Sequence, residues 1–319
     1  IFENLLASYN EESKTTARKA TGSFYTPREI VNYMVDESIM EYLQGKLENL
    51  VGQASLLVNK NHLNQNEQTG HLSGQSGMID LPLNERLRQL LSYTDEKHLF
   101  NDVETNIIIN AIDNLKILDP ACGSGAFPMG VLHKLVHILH KIDPDNHIWK
   151  QKLIDKTPTE IRVETKNALA NKPLDYIRKL GLIESCIYGI DIQPIAIQIS
   201  KLRFFISLIV EQKIDDSKEN RDIKPLPNLE TKFVAANTLI GLEKPNDTLA
   251  GEVKVIKEAE ELLLKIRKDI FYVNSSSKKK DLAKKEKEAI KNLKNLLESN
   301  GGFGHATAEQ IADWDPFNQ

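Results

Sequence analysis

Lys116-Ile117-Leu118-Asp119-Pro120-Ala121-Cys122-Gly123-Ser124-Gly125-Ala126-Phe127 is the stretch that decides the fold. Its first five residues are a short apolar run ending in a turn, the pattern of a buried strand. Gly123 and Gly125 then make a tight turn. Phe127, Val131, Leu132, Leu135, Val136 and Leu139 recur at helical spacing behind it. A second strand is expected at Ser185–Asp191, with its helix from about Pro194 to Gln212, and a third at Thr231–Ala236. Strand, helix, strand, helix, strand implies a parallel sheet joined by right-handed crossovers.

Outward from that core the chain reads as five parts. Residues 1–50 hold N-terminal helices. The first, over 1–20, is polar, and the loop Thr21–Pro27 closes it. In that loop Thr26 suits an N-cap and Pro27 the first turn of a helix to about Leu50. Residues 51–115 combine a flexible loop at 52–80, rich in Asn, Gln, Gly and Ser, with helices at 83–93 and about 101–114. Residues 116–245 are the α/β core, interrupted by a polar insertion with helical stretches at 143–180. Residues 246–300 are a charged helical hairpin, with helices at 252–270 and 278–299. Residues 301–319 read as loop.

Composition narrows the function. At 40% hydrophobic and 27% charged, the 319 residues are those of an ordinary globular protein. No apolar run is long enough to cross a membrane. Cys122 and Cys186 are too few for a disulfide framework or a four-cysteine zinc site, so a cytoplasmic setting is the default expectation. The opening Ile1-Phe2-Glu3 carries neither a start methionine nor a secretion signal, and a piece of a longer polypeptide is expected. A net charge of −4 is low for a protein that grips DNA along its whole surface. It leaves room for an enzyme whose DNA-reading part lies elsewhere.

The chemistry sits in the glycine turn. Glycines let backbone approach a ligand, and the helix start offers free N–H groups. A dinucleotide fingerprint wants Gly or Ala where Pro128 stands, and no Walker lysine follows, so a phosphate cradle is disfavoured. An acid just before the turn suits a ligand with positive charge, as S-adenosylmethionine has in its ammonium and sulfonium. Alone, the turn equally suits any α/β protein. Asp191 ends the second strand, where an acid binds ribose hydroxyls or caps the next helix. Asn237 ends the third, where an amide can read an adenine edge or simply make a turn. Three such groups at successive strand ends stand where open α/β sheets bind ligands.

Asp119-Pro-Ala-Cys-Gly-Ser-Gly-Ala-Phe127 resembles motif I of the amino-methylating DNA methyltransferases, and Phe24-Tyr25-Thr26-Pro27 resembles their motif X in the gamma-type order. Tyr188-Gly-Ile-Asp191-Ile192 resembles motif II and Asn237-Thr238-Leu239 motif III. The nearest likeness is to the methyltransferase region of type IIG restriction-modification enzymes. The resemblance implies a Rossmann-like S-adenosylmethionine-dependent core, a parallel sheet with helices on both faces and helical insertions, acting as a DNA adenine N6-methyltransferase. It implies that Tyr25, Thr26, Pro27, Ala121, Gly123 and Gly125 hold the methionine end and that Asp119 faces its ammonium. Asp191 would hold the ribose, Ile192 would flank the adenine ring, and Asn237 with Thr238 would bind at the adenine amine.

The family's catalytic motif is Asn/Asp/Ser-Pro-Pro-aromatic. No two of the twelve prolines are adjacent, and Asp315-Pro316-Phe317 lacks the second one. No catalytic residue is therefore expected here. Double-stranded DNA would be met through parts of the parent protein outside this chain. An RNA or protein methyltransferase, or a non-catalytic cofactor-binding module, is the rival reading. No metal site is expected: His133, His137 and His140 share a helix without partner acids nearby. Cys122 reads as a structural thiol. The Lys278–Lys287 run reads first as a solvated helix face and second as a contact to DNA phosphate.

Overall fold

The computed structural model describes residues 9–10, 15–16, 26–62, 81–94, 97–157, 159, 162–170, 172–214, 216–217, 221, 229, 232–239, 250–272, 276–299, 304–305 and 308. All that follows concerns these residues. In chain order they form β1 (Tyr9–Asn10), β2 (Thr15–Thr16), α1 (Arg28–His62), α2 (Leu83–Leu91), α3 (Asp102–Asn114), β3 (Ile117–Asp119), α4 (Ala126–Ile142) and α5 (His147–Asp155). They continue with α6 (Arg162–Ala170), α7 (Leu174–Ser185), β4 (Ile187–Asp191), α8 (Pro194–Ile209), β5 (Phe233–Ala235), α9 (Ala250–Tyr272) and α10 (Ser276–Ser299).

The three strands pair in parallel in the order β3-β4-β5, with Asp119 opposite Gly189 and Asp191 opposite Ala235. One face is sealed: Ile187 and Phe233 are fully buried, and Phe233 packs on Phe204 of α8 with ring centroids 4.6 Å apart. A side chain at Gly189 would collide with Phe233 at 2.8 Å and with Cys122 Sγ at 2.9 Å, so only glycine fits there. Helices on both faces are expected from sequence, but Leu118 on the opposite face is 57% exposed. The observed architecture is mostly helical around a small parallel sheet.

Two helices bring the N-terminal part to the sheet. Val31, Val35, Ile39, Leu43 and Leu47 line one face of α1 and enter the common core. A Cβ at Gly130, in the first turns of α4, would meet Val31 Cγ1 at 2.6 Å, so α1 begins directly beside the start of α4. Helix α4 is buried over most of its surface, and its Lys134 is 2% exposed. Such a charge must be paired. Lys134 Nζ donates to Leu91 O at 2.7 Å and reaches the Asp36 carboxylate at 2.9 Å. His137 and Lys141, one and two turns on, reach Ser92 O. Of the three histidines on α4, His137 is thus engaged with the Ser92 carbonyl, and the Lys134 and Lys141 cations complement the dipole at the end of α2.

The structure corrects three expectations. In place of a polar helix over 1–20, Tyr9 pairs with Thr16 and Asn10 with Thr15 in an antiparallel rung; Tyr and Thr favour extended backbone. Helix α1 runs on to His62, through part of the stretch read as loop from 52, because Ala54, Leu56 and Leu57 are good helix formers. The rest of that loop, 63–80, lies outside the described residues. Pro27 stands one residue before α1, not in its first turn; its carbonyl accepts from Val31 N at 3.1 Å. The helical stretches expected within 143–180 are α5, α6 and most of α7.

Helices α9 and α10 make the charged hairpin. Ile256, Ala259, Leu263, Ile266 and Ile270 alternate three and four residues apart, and meet Ala289, Leu293 and Leu297 in a second core. This is coiled-coil spacing. An Arg267–Glu286 ion pair, 2.9 Å and half-buried, joins the two helices.

Candidate functional site

The parallel register places the carboxyl ends of β3, β4 and β5 side by side. Asp119 ends β3, Asp191 ends β4, and Asn237 lies two residues beyond β5. All three are half-buried. The turn between β3 and α4 is fixed to the neighbouring strand at two points. Cys122 N donates to Ile190 O and Gly123 N donates to Asp191 Oδ2, each at 2.8 Å. Asp191 Oδ1 accepts from Gln193 N at 2.8 Å. Its carboxylate therefore orders the turn and the start of α8 together, and the remaining lone pairs can accept more.

Both turn glycines have left-handed backbone, φ 52° at Gly123 and 82° at Gly125. Their surroundings differ. A Cβ on Gly123 would stand in open space, whereas one on Gly125 would meet Ser200 Oγ at 2.8 Å. Gly125 caps α4 and packs inward; Gly123 faces the open side. From α8, Ser200 Oγ donates to Gly123 O and Arg203 Nη1 donates to Ser124 O, both at 2.9 Å. Across the sheet, Thr238 Oγ1 donates to Pro120 O at 3.2 Å. Asn237 Oδ1 accepts from Leu239 N at 3.0 Å, which leaves its amide hydrogens available to other acceptors.

Asp119 is the unsatisfied member. Oδ1 accepts from Ala121 N at 3.1 Å, but buried Oδ2 has no hydrogen-bond partner. Burial raises its carboxyl above the usual carboxylate range; the Ala121 N–H opposes this and the Asp191 charge adds to it. A buried carboxylate oxygen without a donor is costly, and a cationic ligand would relieve it. Cys122 is a structural thiol: it is 5% exposed, and burial, then the charges of Asp119 and Asp191, push it up to about 12. No thiolate nucleophile exists there at neutral pH.

The other expected site residues are placed as follows. Ala121 is exposed in the turn. Ile192, 60% exposed, and Leu239, 92% exposed, flank Asp191 and Asn237 with apolar surface. Thr26 and Pro27 precede α1, whose first turns lie beside those of α4 through the Gly130–Val31 contact. Tyr25 lies outside the described residues, as does Trp314–Gln319. Among the described residues no group of three or more His, Cys, Asp or Glu could hold a metal, and no helix is long and apolar enough to cross a membrane.

Sequence reasoning gave no role to Ser200 and Gly130, and took Arg203 only as part of the helix that follows motif II. A serine fully buried in an apolar helix, and a glycine inside one, were the available signals.

Residues 185–308, from the end of α7 through β4, α8, β5 and the hairpin, match the Eco57I restriction-modification methylase family. The chain is also 24% identical, over 310 residues and 95% of its length, to a putative type II restriction enzyme and methyltransferase of Methanocaldococcus jannaschii. It spans 20% of that relative. No solved structure matches it. In sequence, then, the chain is similar to the methyltransferases of restriction-modification systems.

Proposed function

We propose that this chain is the S-adenosyl-L-methionine-binding portion of a site-specific DNA adenine N6-methyltransferase of a restriction-modification system. The observation that carries the reading is the orphaned Oδ2 of buried Asp119, beside the open side of Gly123 and next to Asp191. Those residues fit the cofactor. Asp119 would receive the ammonium, and the glycine turn with Thr26 would lie along the methionine end. Asp191 would accept from the ribose hydroxyls, Ile192 and Leu239 would flank the adenine ring, and Asn237 and Thr238 would take its amine edge. When bound, the cofactor supplies an electrophilic methyl group. Ser200 and Arg203 would act as positioning residues, since they hold the carbonyls of the turn.

Adenine's exocyclic amine is a poor nucleophile and needs acceptors and a stacking ring around it, usually after the base is flipped. The Pro-Pro motif that supplies these is absent from this sequence. The chain therefore binds cofactor without transferring methyl. Two measurements test this. Calorimetry should show S-adenosylmethionine binding, and a folded sample giving no heat at millimolar ligand overturns the cofactor assignment. A tritium-transfer assay on mixed-sequence DNA should give no counts with this chain, whereas robust transfer would place the catalytic groups among residues read here as structural.

A further inference from the structure

The hairpin separates charge. Helix α9 carries as many acids as bases, while α10 carries eight lysines against four acids in a chain whose net charge is −4. The seam with α9 takes Ala289, Leu293 and Leu297. Away from it, Lys280, Lys284, Lys287 and Lys291 follow one another at intervals of four, three and four residues, so they share one face. All four are exposed. At 1.5 Å per residue the row is about 16 Å long. No acid stands in it; Asp281 and Glu288 lie on the adjoining row.

We propose that this lysine row is a docking surface for the phosphate backbone of duplex DNA. The proposal rests on the reading of the chain as part of a DNA methyltransferase. A straight rod of charges about 16 Å long faces roughly ten duplex charges, at one per about 1.7 Å of duplex axis. Lysine is a point charge suited to phosphate and carries no planar fork for reading bases. Helix α10 has no arginine and no aromatic residue. It is therefore built neither for bidentate base contacts nor for stacking single-stranded bases. Its apolar side is used by α9, so it offers lipid no face to bury. What remains is sequence-independent contact with a duplex backbone.

The test is fluorescence anisotropy of this chain with a labelled mixed-sequence DNA duplex across a salt series. The parent should bind at low salt. Replacing Lys280, Lys284, Lys287 and Lys291 by Gln should reduce the slope of log K against log salt by about 3–4, near 0.9 per lost phosphate contact. Affinity at low salt should fall at least tenfold. A control with the same charge change, Lys97, Lys166, Lys213 and Lys257 replaced by Gln, should keep the parental slope to within about one. Equal losses in both variants, no duplex binding by the folded parent, or tighter binding to single-stranded RNA would overturn the proposal. Calorimetry with S-adenosylmethionine on the same proteins reports separately on the cofactor site: the lysine variant should bind cofactor like the parent. Lost cofactor binding in that variant would show a disturbed fold and count against a surface role.

Discussion

Asp191 Oδ2 accepts a 2.8 Å hydrogen bond from the backbone N–H of Gly123, 68 residues earlier in the chain. One carboxylate therefore joins the glycine turn of the first strand to the end of the second. Its other oxygen holds Gln193 N at the start of α8. A residue expected to meet a ribose is also the clasp of the pocket that would contain it.

Asp191→Ala should accordingly weaken S-adenosylmethionine binding by about 1–3 kcal/mol, the scale of charged hydrogen bonds. It should also destabilise the fold, since two N–H groups lose their acceptor. Asp191→Asn, which keeps one of the two acceptor oxygens, should recover part of the melting temperature but less of the affinity. Calorimetry paired with thermal melts separates these effects. Unchanged affinity in a folded Asp191→Ala variant would remove the ribose assignment.

Asp119 predicts an exchange of stability for binding. Its carboxyl lies above the ordinary range in the fold, chiefly through burial. The protonated form is thus the one the fold prefers. That stabilising contribution is present below the unfolded carboxyl's titration and lost as pH rises through the folded one. Asp119→Asn cannot ionise, so it should melt a few degrees higher than the parent near pH 7. The gain should shrink toward pH 4, and cofactor binding should be weaker throughout. A variant that melts lower at neutral pH would contradict the reading of Oδ2 as an unsatisfied charge.

The two glycines of the turn should fail differently. Gly125→Ala adds left-handed strain to a contact with Ser200, and should cost about 2–3 kcal/mol of stability. Gly123→Ala meets nothing, and should cost only the strain, about 1–2 kcal/mol. It should harm cofactor affinity more than Gly125→Ala does per unit of stability lost. The reverse order in melting and calorimetry would show that Gly123 does not face the ligand.

How far the sequence could be read depends on what each residue reports. The strand ends at Asp119 and Asp191 were legible because an apolar run followed by Asp-Pro or Asp-Ile marks both the strand and its terminus. The helix after Gly125 was legible from its period. Lys134, Ser200 and Arg203 were not: periodicity tells which face is buried, not which carbonyl a buried polar group will find. The register that sets Asp119 opposite Gly189 depends on packing between residues 70 apart, and no local pattern encodes it. The continuation of α1 past Leu50 was hidden because polar Asn and Gln in the stretch masked its Ala and Leu content.

Gly130 offers a test of how the N-terminal part is seated. Gly130→Ala should push Val31 aside and cost about 1–3 kcal/mol. Val31→Ala should cost about as much by leaving a cavity. Combined, the two changes should cost less than their sum, because the smaller side chain makes room for the new methyl. Simple additivity in denaturant melts would mean that α1 and α4 do not meet at this point.

The span of chain between partners at the glycine turn has a kinetic consequence. Gly123 finds Asp191 across 68 residues, and Thr238 finds Pro120 across 118. Large loops must close before these contacts contribute, which slows folding. The hairpin differs: Arg267 and Glu286 are only 19 residues apart, and its core is its own. In a refolding experiment the hairpin's helices should form in an early phase, with the pocket's three strand ends assembling last. A chain refolding from the unfolded state would thus present its lysine rod before it has a place for a nucleoside.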